Sequence, residues 1–314
     1  MALAELAGKS IAYVFPGQGS QVVGMGKDLY ASSPAARATI DEANEILGDG
    51  FTTLLFEGPA DVLNDTYNAQ PALLTVSIAA LRALIERAAD EGVSLQPVVA
   101  AGHSLGEFTA LVAAGSLHFP DMLRLVRERG RLMAAAGTER PGGMAAVLGL
   151  DDETLRGVCA EASSAGIINV ANANCPGQIV ISGEVAALEL AVEGAKGAGA
   201  KRVARLPVSI ASHSPLMEEV SRQLKAITDD LPWQAPAFPI VGNVSAQPIT
   251  TVDEIRAELE HHVERPVNWT ASVETMIGMG VDTFVELGAG NVLAGLIKRI
   301  DRNVSTLGVA DLGL

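Results

Sequence analysis

The sequence has little cysteine, few aromatic residues and a shortage of basic residues. Two cysteines in 314 residues give neither a disulfide framework nor a zinc cluster, which indicates a reducing compartment. A net charge of −15 argues against phosphate-backbone binding, so we expect no nucleic-acid partner. No apolar run approaches the ~20 residues of a membrane span, and the first ten residues, with Glu5 and no basic run, make a poor signal peptide. We therefore expect a cytoplasmic globular protein without membrane contact.

The apolar material is abundant and is mostly aliphatic. Hydrophobic residues make up 48% of the chain and aromatic residues only 4%. Short apolar runs at residues 10–15 and 97–101 predict buried strands, and longer periodic segments at residues 71–89 and 105–114 predict helices. Such alternation indicates an α/β fold with a parallel sheet covered by helices.

The middle of the chain has a different order of elements. From residue 143 to residue 206 the pattern predicts β-α-β-β-α-β, the ferredoxin-like unit. We therefore predict that residues 138–207 form an inserted ferredoxin-like small subdomain. Residues 1–137 and 208–314 would together form an α/β-hydrolase-like catalytic subdomain with a parallel sheet and a nucleophile elbow.

The run GHSLG at residues 102–106 matches the pattern G-x-S-x-G. An apolar strand precedes it and a helix follows it, which is the context that a nucleophile elbow requires. The sharp turn would expose Ser104, and the start of the new helix would direct free N–H groups at an oxyanion formed there. The alternative is a chance glycine-rich turn between a strand and a helix.

A serine nucleophile needs a base, and the chain has five histidines. His103 adjoins the serine and should point away from it. His118 follows a Gly-Ser turn, and His261 and His262 lie at a predicted helix end, where histidines commonly cap. His213 follows the strand that closes the small unit and begins a helix of the large one, so we favour it. Composition alone does not choose among the five.

Arg129 is the second informative residue. On a helical wheel of residues 120–135 it falls in the middle of the apolar face, whereas the other arginines fall on the opposite face. A buried guanidinium needs an anion of matching geometry, usually a carboxylate. Two partners remain open, an internal Glu or Asp and the carboxylate of a substrate.

The loop FPGQGSQ at residues 15–21 follows a predicted strand directly. It lacks the Lys and Ser/Thr of a P-loop. A strand-end loop of this kind supplies an oxyanion-hole N–H in α/β-hydrolases, so the loop and the elbow form a coherent pair.

Together these segments resemble the malonyl-CoA:acyl carrier protein transacylases, the acyltransferases of fatty acid and polyketide synthesis. The resemblance covers nearly the whole chain in order. Its motifs are FPGQGSQ (15–21), QPAL (70–73), GHSLGEF (102–108), RERGRLM (127–133), GGMAAVLG (142–149), NANCPGQIVISG (172–183), ASHSPLM (211–217), RPVNW (265–269) and ELGAG (286–290).

The resemblance implies roles for the residues that match these motifs. Ser104 would be the nucleophile, His213 its base and Arg129 the ligand of the malonyl carboxylate. The oxyanion hole would be formed by the backbone N–H groups of Gln18 and Leu105. No metal or cofactor is implied.

Three further roles, carried by five residues, are assigned less directly. A backbone carbonyl would orient the catalytic histidine in place of a triad aspartate, and the matching position here is His262. We expect Met133 and Asn172 to line the cleft between the subdomains. The resemblance also points to Lys298 and Arg299 as a docking patch for an acidic carrier protein.

The expected activity is transfer of malonyl from malonyl-CoA to acyl carrier protein through a malonyl-serine ester, by a monomer. Methylmalonyl specificity in a trans-acting polyketide acyltransferase remains an alternative, because Ser212 before the base is smaller than the phenylalanine of many malonyl-selective modules. Two hypotheses of a different class compete with acyl transfer: a serine hydrolase with His261 or His262 as base, and a non-catalytic docking or scaffold protein.

Overall fold

The computed structural model describes residues 3–314, so residues 1 and 2 of the predicted range 1–137 lie outside the described part. The α-helices are α1 Leu3–Leu6, α2 Lys27–Ser32, α3 Pro34–Leu47, α4 Phe51–Glu57, α5 Ala60–Asn64, α6 Thr66–Asp90, α7 Leu105–Ala113, α8 Phe119–Glu139, α9 Asp152–Ala162, α10 Val185–Gly197, α11 Glu218–Asp229, α12 Val252–His261, α13 Trp269–Gly278 and α14 Val292–Ile300. The strands are β1 Ile11–Phe15, β2 Val99–Gly102, β3 Gly142–Leu148, β4 Ile168–Cys175, β5 Gln178–Glu184, β6 Arg202–Arg205, β7 Ile240–Val241, β8 Pro248–Ile249, β9 Thr283–Glu286 and β10 Ser305–Gly308. Short 3₁₀ helices occur at Ser163–Ala165, Pro215–Met217 and Ala310–Leu312.

The larger sheet has the strand order β10-β9-β1-β2-β7-β8. Its first five strands are parallel, and β8 pairs antiparallel with β7. All residues of β1, β2 and β9 are buried, as expected for parallel strands with helices on both faces. Phe15 pairs with Gly102, so β1 and β2 end at the same level. The loops after these strands therefore meet at one edge of the sheet, where α/β proteins bind their ligands.

The smaller sheet is antiparallel, with the order β4-β5-β3-β6. Its strands and the helices α9 and α10 follow one another as β-α-β-β-α-β, and apolar residues of both helices pack on the sheet. The predicted fold class is confirmed. The strands of this sheet lie within the predicted subdomain range 138–207, whose boundaries stay a prediction.

Helix α6 begins at Thr66, before the Pro71 that the sequence placed near the first turn. The side chain of Asp65 accepts the N–H of Tyr67 at 2.8 Å and caps the earlier start. Pro71 has no N–H to donate to the carbonyl of Tyr67, four residues before it. Arg127 Nη1 on α8 donates to that carbonyl at 3.0 Å instead, which explains how the helix continues through the proline.

Helices α6 and α8 approach each other closely where Gly130 meets Thr66. A Cβ atom on Gly130 would lie 2.7 Å from the backbone oxygen of Thr66, so only glycine fits there. This approach brings the neighbouring Arg129 side chain toward α6. None of the helices in residues 3–314 is long and apolar enough to cross a membrane.

Candidate active site

The turn between β2 and α7 is strained at Ser104. Its backbone has φ 49° and ψ −108°, a conformation that non-glycine residues rarely adopt. A Cβ atom on Gly102 would lie 1.8 Å from the carbonyl carbon of Gly106, and one on Gly106 would lie 2.0 Å from the carbonyl oxygen of Phe15. Both glycines are therefore required by close backbone packing, and the geometry is that of a nucleophile elbow.

His213 lies within hydrogen-bond distance of the serine. Its Nε2 is 2.8 Å from Ser104 Oγ, and its Nδ1 is 3.0 Å from the carbonyl oxygen of Arg265. A carbonyl can only accept, so Nδ1 carries the proton and Nε2 is left to accept from the serine hydroxyl. His213 also has a positive φ of 58°, and Val263 and Asn169 bind its backbone groups at 2.8 Å each.

The electrostatic surroundings keep His213 neutral. Burial, followed by the neighbouring His262 and the charge of Arg129, lowers the pKa of His213 well below the ordinary value of 6.5. A neutral imidazole with a free Nε2 lone pair can take a proton from Ser104 at neutral pH.

The prediction that the His262 carbonyl orients the base is wrong, because the carbonyl of Arg265 occupies that position. His262 is the C-cap of α12, and the carbonyl that contacts the base belongs to Arg265, three residues later in the chain. The His262 side chain instead turns inward, where its ring lies 4.9 Å from that of Phe108 and 6.1 Å from that of His213. Its Nε2 is 3.5 Å from Glu107 Oε2. His261, the other candidate base of a hydrolase, bonds to Glu264 at 2.6 Å.

Arg129 is buried beside the nucleophile. Its Nη1 donates to Gln70 Oε1 at 2.7 Å, and its Nη2 donates to Ser104 Oγ at 3.3 Å. In the described part of the chain Arg129 forms no ion pair, and its Nε has no hydrogen-bond partner. Burial lowers the pKa of Arg129 to about 10, so the group stays charged at neutral pH. Glu107 acts on it electrostatically, but burial raises the pKa of Glu107 to about 8. An internal carboxylate partner is therefore not what the structure provides.

The backbone N–H groups of Gln18 and Leu105 are free to bind an oxyanion. Neither has a hydrogen-bond partner among residues 3–314, whereas the N–H of Ser104 donates to Asn243 Oδ1 at 2.6 Å. A Cβ atom on Gly17 would lie 2.2 Å from the carbonyl oxygen of His103, so the loop that carries Gln18 packs directly on the elbow. Gln18 and Leu105 thus belong to two different elements that pack together at the elbow, and their role as an oxyanion hole stays a prediction.

Met133 and Asn172, which are expected to line the cleft, lie in two different surroundings, and their lining role stays a prediction. Met133 is buried one turn after Arg129, and its Sδ is 3.5 Å from Gln70 Nε2, so it belongs to the surroundings of the guanidinium. Asn172 is buried on β4, at a parallel bridge to Val267. Val267 follows Arg265 by two residues, so Asn172 lies close in the fold to the segment whose carbonyl orients His213.

Lys298 and Arg299 are exposed near the C-terminal end of α14. Lys298 Nζ donates to the carbonyl of Val304, and Arg299 Nη1 donates to Gln178 Oε1 at the start of β5. Neither forms an ion pair within the described residues. Their role in docking stays a prediction.

Sequence reasoning missed three polar residues that hold the site together. Gln70 positions Arg129, Asn243 binds the elbow, and Glu107 binds Asn243. Glu107 had a signal, since it is an acidic residue in an otherwise apolar helix. Across the described residues no group of three or more His, Cys, Asp or Glu side chains could hold a metal ion.

Comparisons with known proteins place these features in a family. A family model described as "Acyl transferase domain" matches residues 12–311. The malonyl CoA-acyl carrier protein transacylase of Bacillus subtilis (strain 168) is 46% identical over 302 residues, which cover 96% of this chain and 93% of that protein. The crystal structure of an acyl-carrier-protein S-malonyltransferase from Burkholderia pseudomallei 1710b is 44% identical with a TM-score of 0.91, covering 97% of this chain and 98% of that one. A structure of a type II PKS acyl-carrier protein in complex with its malonyl-transacylase has a TM-score of 0.91 at 40% identity, covering 96% of this chain and 97% of that chain.

Proposed function

The chain belongs to the acyl transferase domain family, and on that basis we propose that it transfers a malonyl group from malonyl-CoA to the phosphopantetheine thiol of acyl carrier protein through an ester on Ser104. The alignments with two relatives named malonyl CoA-acyl carrier protein transacylase cover 93% and 92% of the length of those relatives. The carrier protein as acceptor is supported by those names and by the solved carrier complex of a similar enzyme. Neither half of the reaction needs a metal or a redox cofactor.

The observation that carries the proposal is the buried charge of Arg129, 3.3 Å from the nucleophilic oxygen. Nη1 is committed to Gln70, so the Nε–Nη2 edge is left for a ligand. That edge offers two parallel N–H donors, which match the two oxygens of a carboxylate. Malonyl differs from acetyl by such a carboxylate, so one contact would both neutralise Arg129 and direct the thioester carbonyl toward Ser104.

In the first half-reaction Ser104 Oγ attacks the thioester carbonyl of malonyl-CoA while His213 Nε2 accepts the hydroxyl proton. The tetrahedral oxyanion would be bound by the N–H groups of Gln18 and Leu105, and removing one such donor typically costs ~3–4 kcal/mol of transition-state stabilisation. The carbon–sulfur bond then breaks. His213 returns the proton to the CoA sulfur, which leaves as the thiol, and malonyl remains as an ester on Ser104.

The second half-reaction reverses the roles. His213 takes the proton of the phosphopantetheine thiol, whose sulfur attacks the ester carbonyl. The same N–H groups would bind the new oxyanion, and the proton goes to Ser104 Oγ as the ester bond breaks. Malonyl leaves on the carrier and the enzyme returns to its starting state, which gives ping-pong kinetics.

The orientation of the base favours acyl transfer over the hydrolase alternative. A hydrolase triad places a carboxylate on the second nitrogen of the histidine, whereas His213 Nδ1 donates to the neutral carbonyl of Arg265. Arg129 also has no function in a general serine hydrolase. The charged guanidinium, the strained serine and the oriented base together argue equally against a non-catalytic docking protein.

Covalent labelling tests the proposal directly. Intact-mass spectrometry after exposure to malonyl-CoA should show one malonyl adduct on the wild type and none on Ser104→Ala, and peptide mapping should place it on Ser104. An adduct on the mutant, or on another residue, contradicts the assignment. Transfer from a panel of acyl-CoA thioesters to holo-carriers of fatty acid and polyketide type then identifies the acyl group and the carrier.

The activities of two histidine variants distinguish the proposed function from a serine hydrolase. His213→Ala should be severely impaired, whereas His262→Ala should keep substantial activity per folded molecule, because its side chain makes no hydrogen bond to the base. The reverse order of losses would favour the hydrolase mechanism.

A further inference from the structure

The loop after β7, residues 242–246, is bound by the buried carboxyl groups of two glutamates. The backbone N–H of Asn243 donates to Glu107 Oε2 at 2.8 Å. The next two N–H groups, of Val244 and Ser245, donate to the two oxygens of Glu258. Glu107 and Glu258 are 1% and 5% exposed, so three consecutive donors are held in the interior by groups that are costly to bury. Such an arrangement fixes the backbone of this loop.

The side chain of Asn243 connects this loop to the nucleophile elbow. Its Oδ1 accepts the N–H of Ser104 and its Nδ2 donates to the carbonyl of Gly102, both at 2.6 Å. The amide orientation is fixed, because the elbow N–H can only donate and the carbonyl can only accept. Asn243 therefore binds the backbone on both sides of His103.

The bound segment is the strained one. A residue with φ 49° and ψ −108° persists only where its surroundings over-determine it. The acceptor for the Ser104 N–H is Asn243, and this N–H forms no other hydrogen bond among the described residues. Without that acceptor the turn can relax, and Ser104 Oγ would leave its position 2.8 Å from His213 Nε2.

We propose that Asn243 is a positioning residue that holds Ser104 in its reactive conformation, and that Glu107 and Glu258 support it by fixing its backbone. The proposal rests on the role of Ser104 as nucleophile proposed above. Asn243 forms no hydrogen bond with Arg129 or Gln70 among the described residues, so it should affect the reactivity of the serine and not recognition of the carboxylate.

The test measures serine reactivity without malonyl-CoA. The rate of sulfonylation by phenylmethanesulfonyl fluoride, followed by intact-mass spectrometry per folded molecule, reports attack by Ser104 with His213 as base. We expect Asn243→Ala to lower this rate and kcat for malonyl transfer by about 10²-fold, the loss typical of a misplaced reacting group. KM for malonyl-CoA should change less than about threefold, because uniform substrate binding is untouched. Asn243→Asp keeps an acceptor for Ser104 N–H and should recover part of the rate.

Ser272→Ala is the matched control. The hydroxyl of Ser272 lies 3.2 Å from the carbonyl oxygen of Gly242 and 3.1 Å from that of Asn268, so its one proton is shared between them. Ser272 therefore supports the same loop and forms no hydrogen bond with the elbow. It should lower the melting temperature and leave the sulfonylation rate near that of the wild type. A wild-type sulfonylation rate in folded Asn243→Ala, or an equal loss in Ser272→Ala, overturns the proposal.

A second pair of variants tests the proposal if Asn243→Ala does not fold. Glu107→Gln keeps an oxygen that can accept the Asn243 N–H, whereas Glu107→Ala does not. The sulfonylation rate of Glu107→Gln should therefore be about tenfold higher than that of Glu107→Ala. Equal rates for the two overturn the proposal. A wild type that reacts with the sulfonyl fluoride but not with malonyl-CoA would refute the proposed function and leave this comparison valid.

Discussion

At the scale of single residues, the proposed function makes Arg129 the group that selects the acyl chain. Its guanidinium is buried and charged, and it bonds to the neutral Gln70 rather than to a carboxylate. Hydrogen bonds to a charged group are worth ~1.5–3 kcal/mol each, and an unpaired buried guanidinium costs more. A malonyl carboxylate relieves that cost, whereas an acetyl group leaves it in place. Discrimination between the two should therefore be strong.

We predict that Arg129→Ala lowers kcat/KM for malonyl-CoA by at least about 10²-fold, while that for acetyl-CoA holds or rises. Arg129→Lys should restore malonyl selectivity only in part, because an ammonium lacks the planar fork. The measurement is kcat/KM for both thioesters on the wild type and the two variants. A parallel decline for both substrates would make Arg129 a structural residue.

The residues that could be predicted from the sequence are those with a local signature. Ser104 lies in a five-residue motif between a strand and a helix, and Arg129 interrupts an apolar helical face. Asn243 has no such signature, because it is 139 residues from the serine whose N–H it accepts. The sequence could not predict that the Arg265 carbonyl accepts the proton of His213 Nδ1, because every residue has a backbone oxygen. The position of this carbonyl depends on how the chain turns after α12.

At the scale of elements, helix α14 links the large sheet to the proposed carrier surface. Glu286 at the end of β9 accepts the N–H groups of Leu293 and Ala294 at 3.1 and 2.8 Å, which fixes the first turn of the helix. Lys298 and Arg299 lie in its last turn, where cations also complement the helix dipole. The orientation of this basic pair is therefore set by the sheet.

We predict that the double charge reversal Lys298→Glu with Arg299→Glu raises KM for holo-carrier roughly tenfold, because each rim charge contributes up to about 1 kcal/mol. Malonyl loading from CoA, followed by single-turnover mass spectrometry, should stay within about twofold of the wild type. Lys196→Glu on α10 reverses another exposed charge and is the control. Equal damage to both half-reactions would exclude a docking role.

The elements follow the sequence pattern unevenly. Strands β1 and β2 and the β-α-β-β-α-β order of the smaller sheet were predicted, because short aliphatic runs bounded by glycine and proline have few other structures. The edge strands β8 and β10 were not predicted, because β8 has only two residues and β10 has a single buried residue. Helix α6 was predicted too short, because the Arg127 side chain that compensates for Pro71 is 60 residues from the carbonyl it binds. A tertiary contact of this kind overrides the local rule for proline.

At the scale of the whole molecule, the site is built from both sheets. Ser104 and Leu105 follow strand β2 of the larger sheet, and Gln18 follows strand β1. Asn169 on β4 of the smaller sheet donates to the backbone oxygen of His213 at 2.8 Å and so helps to hold the base. The order of elements along the chain predicted two subdomains. It could not predict the bond between Asn169 and His213, because that bond depends on how the two sheets pack together.

The buried ionisable groups of the site also determine how stability depends on pH. Burial raises the pKa of Glu107 to about 8 and that of Glu286 to about 7, from 4.5. Their contribution to stability is complete below pH 4.5 and is lost as pH rises through these values. Burial lowers the pKa of His213 and His262 below 6.5, so their contribution is present above pH 6.5 and is lost at lower pH. The two trends oppose each other below about pH 6.5, and above it the loss from the carboxyl groups remains.

We therefore predict that the free energy of unfolding falls between about pH 6.5 and pH 8, and that Glu107→Gln with Glu286→Gln reduces this fall. Glutamine keeps an acceptor oxygen for the backbone N–H groups and carries no titrating proton. Glu219→Gln is the control, because its bond to Arg222 lowers the pKa of Glu219 to about 2 and keeps it ionised throughout this range. Denaturant unfolding of the three proteins at both pH values gives the comparison. A fall as steep in the double variant as in the wild type would mean that other groups titrate on unfolding, and the assignment of the pH dependence to these two carboxyl groups would be wrong.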